Sequence, residues 1–90
     1  MFDSLIKNVT DVPGVEGVCL LTAHGQFIYR KMSALFVEEL YEDVSRRVMS
    51  IYETIDDNFL PCEDFILKYP QKWIFLRRSD STILLLMAHP

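Results

Sequence analysis

Two histidines, His24 and His89, and two cysteines, Cys19 and Cys62, are the side chains in this sequence best able to do chemistry, and none has the company it needs. A metal centre takes three or four convergent ligands, and nothing at ligand spacing accompanies either histidine. Neither cysteine has a CxxC partner. Cys19 lies in an apolar run and reads as a small core hydrophobe, and Cys62 sits beside a loop as a lone thiol. Carboxylates occur in pairs, Glu38-Glu39, Asp56-Asp57 and Glu63-Asp64. Acid–base catalysis needs such groups in a cleft with separated pKa values, whereas these fall on a solvated helix face or in loops. There is no Gly-x-x-x-x-Gly-Lys-Ser/Thr phosphate loop, no Gly-x-Ser-x-Gly elbow and no Cys/His nucleophile pairing. Arg46-Arg47 and Arg77-Arg78 suit contact with an acidic partner, or simple pairing with nearby acids. The expectation is a protein that is not an enzyme, with no metal and no cofactor.

The bulk composition points the same way. Ninety residues suffice for one domain, 1–90, whose core is close to the minimum for stability. Half of the residues are hydrophobic and 24% charged, which excludes a disordered chain and predicts apolar surface left over for a partner. A net charge of -4, with the basic residues scattered, argues against nucleic acid and against a polybasic membrane anchor. The longest apolar stretch, Ile83 to Ala88, is six residues, too short to insert across a bilayer. Without a signal-peptide pattern or a cysteine framework, the expected compartment is the cytoplasm.

The elements that would position these residues follow from periodicity. Phe2, Leu5, Ile6 and Val9 mark a short helix stopped by Pro13-Gly14. Val15 to Thr22 reads as a strand apolar on both faces, Ala23-His24-Gly25-Gln26 as a turn, and Phe27 to Met32 as the second arm of a hairpin guarded by Arg30 and Lys31. Ser33 is the expected cap of a long helix from Ala34 to Asp56. Its apolar stripe is Val37, Leu40, Tyr41, Val44, Val48, Ile51, Tyr52 and Ile55, with Phe36 and Met49 on opposite flanks and free to touch something other than the sheet. After an exit loop of Asp56-Asp57-Asn58 and Pro61, three strands follow: Glu63 to Tyr69, Lys72 to Arg78, and Thr82 to His89.

Strand polarity then orders the sheet. Val15–Thr22 and Thr82–His89 are apolar on both faces, so they belong side by side at the centre. The hairpin and the meander fix the rest, giving the order 2-1-5-4-3 in an α+β (αββαβββ) fold. Glu63–Tyr69, with only Lys68 as a guard, is the edge expected to pair with another chain. Trp73 and Phe75 share one face of the fourth strand and Ile74 and Leu76 the other; one pair should lie under the long helix, the other being covered by the short helix or by a partner.

Pro13-Gly14-Val15-Glu16-Gly17-Val18-Cys19-Leu20-Leu21, followed by Gly25 and an apolar strand, resembles the opening of the roadblock (dynein light-chain) family, and the order of elements extends the resemblance over nearly the whole chain. The likeness implies a five-stranded antiparallel sheet with the long helix on one face and the short N-terminal helix on the other. It implies homo- or heterodimers made by pairing long helices and third strands. It also implies service as a motor light chain, as a scaffold for a small Ras-like GTPase, or as a regulator of one. The expected dimer contacts are then Phe36, Leu40, Arg47, Ile51, Phe65, Ile66, Leu67 and Tyr69. Trp73, Phe75, Arg77 and Arg78 are the expected partner-binding residues, an arginine finger in trans being one conceivable use. Two departures stand out: His24 replaces the acidic residue common in the first hairpin turn, and the chain ends at His89-Pro90 without the further helix of many members. The competing expectation is a small-molecule sensing domain of PAS- or profilin-like architecture, which needs a cavity between sheet and helix lined by polar anchors.

Overall fold

The structure, a computed structural model, describes residues 14–32 and 36–89. The predicted helix over Phe2–Val9 and the cap at Ser33 lie outside the described residues. Five strands and one helix are present in these: β1 (Val15–Thr22), β2 (Phe27–Lys31), α1 (Glu38–Asp57), β3 (Asp64–Lys68), β4 (Trp73–Ser79) and β5 (Thr82–Ala88). The strands form one antiparallel sheet in the order β2-β1-β5-β4-β3, as strand polarity requires.

Alternation along the central strands builds two unequal faces. Cys19, Leu21, Ile74, Leu76, Ile83, Leu85 and Met87 point to α1 and are buried against Tyr41, Val44, Val48, Tyr52 and Ile55. Each fully buried Val, Leu, Ile or Met among them contributes about 1.5–3 kcal/mol. Ile74 and Leu76 are thus the β4 pair under the helix, while Trp73 and Phe75 take the far face. On that far face Val18 and Leu20 are fully buried, Leu84 and Leu86 half-buried, and Ile66 is 43% exposed. Cover on the far face therefore fades from the β1 side toward β3.

The turns carry the residues their geometry demands. Gly25 takes a positive φ of 85° in the β1–β2 turn, which Thr22 closes by donating its N–H to Gln26 O at 2.8 Å. A Cβ at Gly25 would sit 2.7 Å from Met49 Cγ, so Met49 packs onto this turn instead of standing free on its flank. Ser45 Oγ also donates to Gly25 O, at 2.6 Å.

Helix α1 starts four residues later than the predicted Ala34. Phe36 and Val37 are not helical, and the N-cap is Val37, in extended conformation without a side-chain cap bond. The start is fixed by packing: Phe36, just before the cap, meets Tyr41 ring to ring at 4.7 Å, the arrangement of a hydrophobic staple. Glu38 and Glu39 then occupy the first turn, where the helix dipole favours negative charge. Val37 and Leu40, placed in the core stripe by periodicity, are 50% and 43% exposed.

An arginine, a tyrosine and acidic groups tie down each end of α1. At the start, Arg30 donates to Glu38 at 2.8 Å and lies over the Tyr41 ring at 4.2 Å. At the end, Arg78 holds both Asp56 oxygens, at 2.8 and 3.0 Å, reaches Glu63 at 2.9 Å, and stacks over Tyr52 at 4.4 Å. Tyr52 O–H and Arg78 N–H both donate to Glu63 O at 2.8 Å, fastening the entry of β3 to the helix and to β4.

Candidate functional site

Strand β3 hydrogen-bonds to β4 on one side and, among the described residues, to nothing on the other. Its five residues read Asp-Phe-Ile-Leu-Lys. Phe65 and Leu67 turn to the helix side and are half-buried, Phe65 meeting Tyr52 edge-on at 5.0 Å. Asp64, Ile66 and Lys68 turn to the far face. There Asp64 accepts from Arg77 at 3.0 Å, Ile66 stands opposite Phe75, and Lys68 Nζ lies 4.6 Å from the centre of the Trp73 ring.

The helix adds a flank to this edge. Ser45 and Met49 face the β1–β2 turn, so at 100° per residue Leu40, Arg47 and Ile51 lie on the opposite flank, above β3. Leu40 is exposed, Ile51 is half-buried against the core, and Arg47 donates to Asp43 one turn earlier at 2.8 Å. Phe36, Leu40 and Tyr69 line an apolar groove of about 400 Å³ with Pro70, Ile74 and Met87. Tyr69 and Lys72 close the β3–β4 turn beside it, the Tyr69 N–H donating to Lys72 O at 2.8 Å. Seven of the eight residues expected at a dimer contact therefore sit on β3, its exit turn and the helix flank above, and Phe36, just before the helix cap, joins them through the groove it shares with Leu40 and Tyr69.

The four expected partner-binding residues divide. Trp73 and Phe75, their ring centres 6.3 Å apart, stay on the far face, half-buried. Phe75 lines a second open groove, of about 580 Å³, with Ile66, Leu84 and Leu86; the Asp64–Arg77 pair forms part of its wall. Arg78 points the other way, toward α1, its side chain 18% exposed and its guanidinium occupied by Asp56 and Glu63. That pairing holds Arg78 firmly protonated and draws the Asp56 carboxyl below the usual carboxylate range.

The same geometry describes the groups able to react. Burial pushes the Cys19 thiol up to about 11, which keeps it a thiol at neutral pH. Cys62 is half-buried and donates to Asp64 O at 3.1 Å. No cluster of three or more His, Cys, Asp and Glu able to hold a metal occurs among the described residues, and no helix there is long and apolar enough to cross a membrane. The centre of the space between sheet and helix is packed with side chains, the groove beside Phe36 and Leu40 opening only at its margin, and there is no buried polar or charged residue among those described to anchor a ligand.

Sequence reasoning missed one feature. After α1 the chain turns sharply through Phe59 and Leu60, which are 92% and 51% exposed. The signal was available: a Phe-Leu pair inside a loop bounded by Asn58 and Pro61 has no core to join.

No protein-family model matches the sequence, and no curated protein matches it. Among solved structures, the crystal structure of a Roadblock/LC7 domain from Streptomyces avermitilis is similar, with a TM-score of 0.68 and 14% identity over 96% of this chain and 73% of that one. At that identity the likeness concerns the path of the backbone. The chain has the roadblock fold, an antiparallel sheet ordered β2-β1-β5-β4-β3 beneath one long helix.

Proposed function

We propose that this chain is a non-catalytic interaction module of the cytoplasm that works as a dimer and offers the joined sheet to a protein partner, a small Ras-like GTPase or a motor or scaffold subunit. One observation carries the reading: the open strand β3 is complementary to itself. Set antiparallel to a second copy about Ile66, Asp64 falls opposite Lys68 of the copy, Phe65 opposite Leu67, and Ile66 opposite Ile66. Because directly opposed residues share a face, both charge pairs form on the far face and both apolar pairs on the helix side. An unpaired edge strand is a template for strand pairing, and this one carries its own register. The fold likeness agrees with an interaction role. A ligand sensor would need buried polar anchors in the sheet–helix space, and the described residues supply none.

Sedimentation equilibrium tests the dimer. A mass near twice the 10.5 kDa of one chain is expected at micromolar concentration. A single-chain mass at every concentration would remove the foundation of the reading. Capture of nucleotide-loaded Ras-like GTPases on the immobilised dimer then separates a GTPase partner from a motor or scaffold subunit.

A further inference from the structure

The loop after α1 spends backbone strain on a side chain that the chain itself does not use. Leu60 N–H donates to Ile55 O at 3.0 Å and Phe59 N–H to Asp56 O at 3.1 Å, the two bonds of a Schellman turn. Phe59 occupies its left-handed position, with φ at 53°. That position favours Gly, or Asn, and is unfavourable for a bulky residue. A core contact would account for phenylalanine here, yet its side chain is 92% exposed. The ring joins no core among the described residues, and the exposed Leu60 beside it enlarges the apolar knob.

A matching recess lies at the other end of the same helix. Arg78 ties Asp56 to Glu63, so the knob stands where the chain enters β3. The groove of Phe36, Leu40, Tyr69, Pro70, Ile74 and Met87 stands where the chain leaves β3. Its volume of about 400 Å³ falls among pockets that hold small organic groups. A two-fold axis through Ile66 reverses the strand, so it brings the entry end of each β3 beside the exit end of the other. We propose that Phe59 and Leu60 of each chain seat in the groove at the start of α1 of a second copy, forming two symmetric locks on either side of the β3–β3 seam. The proposal rests on the dimer reading above. Charge complementarity of Asp64 and Lys68 in the self-paired strand selects a second copy as the occupant.

The lock makes stability and association respond in opposite directions to one substitution. Phe59→Gly relieves the left-handed residue, so the melting temperature of the chain, measured at dilution to the monomer, should rise by about 3–5 °C. The same substitution should raise the dimer dissociation constant at least about tenfold. Contact is read directly by placing the photo-cross-linker p-benzoylphenylalanine at position 59 in a mixed 14N/15N sample. Interchain cross-links landing in residues 36–44 or 69–74 support the lock. A dimer in which Phe59→Gly associates as tightly as the parent, or whose cross-links fall elsewhere, overturns the lock while leaving the paired strands standing. A parent chain that sediments as a monomer removes the dimer reading, and the lock with it.

Discussion

At one margin of the sheet β2 carries Arg30 and Lys31 with no acidic residue, so no antiparallel register against its own copy sets a carboxylate beside either cation. At the opposite margin β3 carries an acid at its start, a base at its end and three apolar residues between. Both strands are five residues long and both expose an isoleucine, Ile28 at 51% and Ile66 at 43%. Length and greasiness therefore do not distinguish them. Charge placement does: the cations of β2 find no partner charge in a copy of that strand, whereas the order of charges on β3 admits a copy of itself in one register. The neighbours sharpen the contrast. Arg30 is folded back over the Phe27 and Tyr41 rings toward Glu38, beside the helix start, while the surroundings of β3 leave a groove on each face of the sheet.

The largest effect that would break this comparison is expected from Ile66→Asp, which sets two carboxylates against each other on the two-fold axis at the centre of the seam. The dimer dissociation constant should rise about 100-fold or more, leaving monomers in gel filtration at micromolar concentration. Ile28→Asp, the same change on the other margin, should leave the solution mass unchanged. If Ile28→Asp dissociates the dimer and Ile66→Asp does not, the two edges have been assigned the wrong way round.

A smaller effect sharpens the register. Lys68→Glu places a carboxylate opposite Asp64 twice in each dimer, and Asp64→Lys places an ammonium opposite Lys68 twice. Each variant alone should associate about three- to tenfold more weakly than the parent. Mixed together, the two variants restore opposite charges at both pairs, so the mixture should form heterodimers in preference to either homodimer. Native mass spectrometry reads the three species directly; a statistical mixture would reject the Ile66-centred register.

Much of this geometry was legible in the sequence, because strand polarity and edge polarity are local. Two strands apolar on both faces had to be central, and the short loops left one order for the remaining three. The rest depended on contacts between distant residues. Ser33 suggests a cap by residue type, yet the helix begins after Val37, where Phe36 can reach Tyr41. Leu40 belongs to the apolar stripe by phase, but the helix axis lies so that it faces outward beside Tyr69. Arg78 reads as a surface cation until Asp56 and Glu63, 22 and 15 residues away, converge on it. Phe59 differs: the Phe-Leu pair in its loop was legible as apolar residues out of place, but the left-handed backbone that holds the ring there was not.

Hydrogen exchange, followed amide by amide in a single sample at a concentration where the dimer is populated, compares the two margins under identical conditions. The outward-facing amides of β3 should exchange slowly and lose that protection on dilution, while those of β2 exchange quickly throughout. Equal and rapid exchange at both margins, unchanged by concentration, would contradict the pairing of β3.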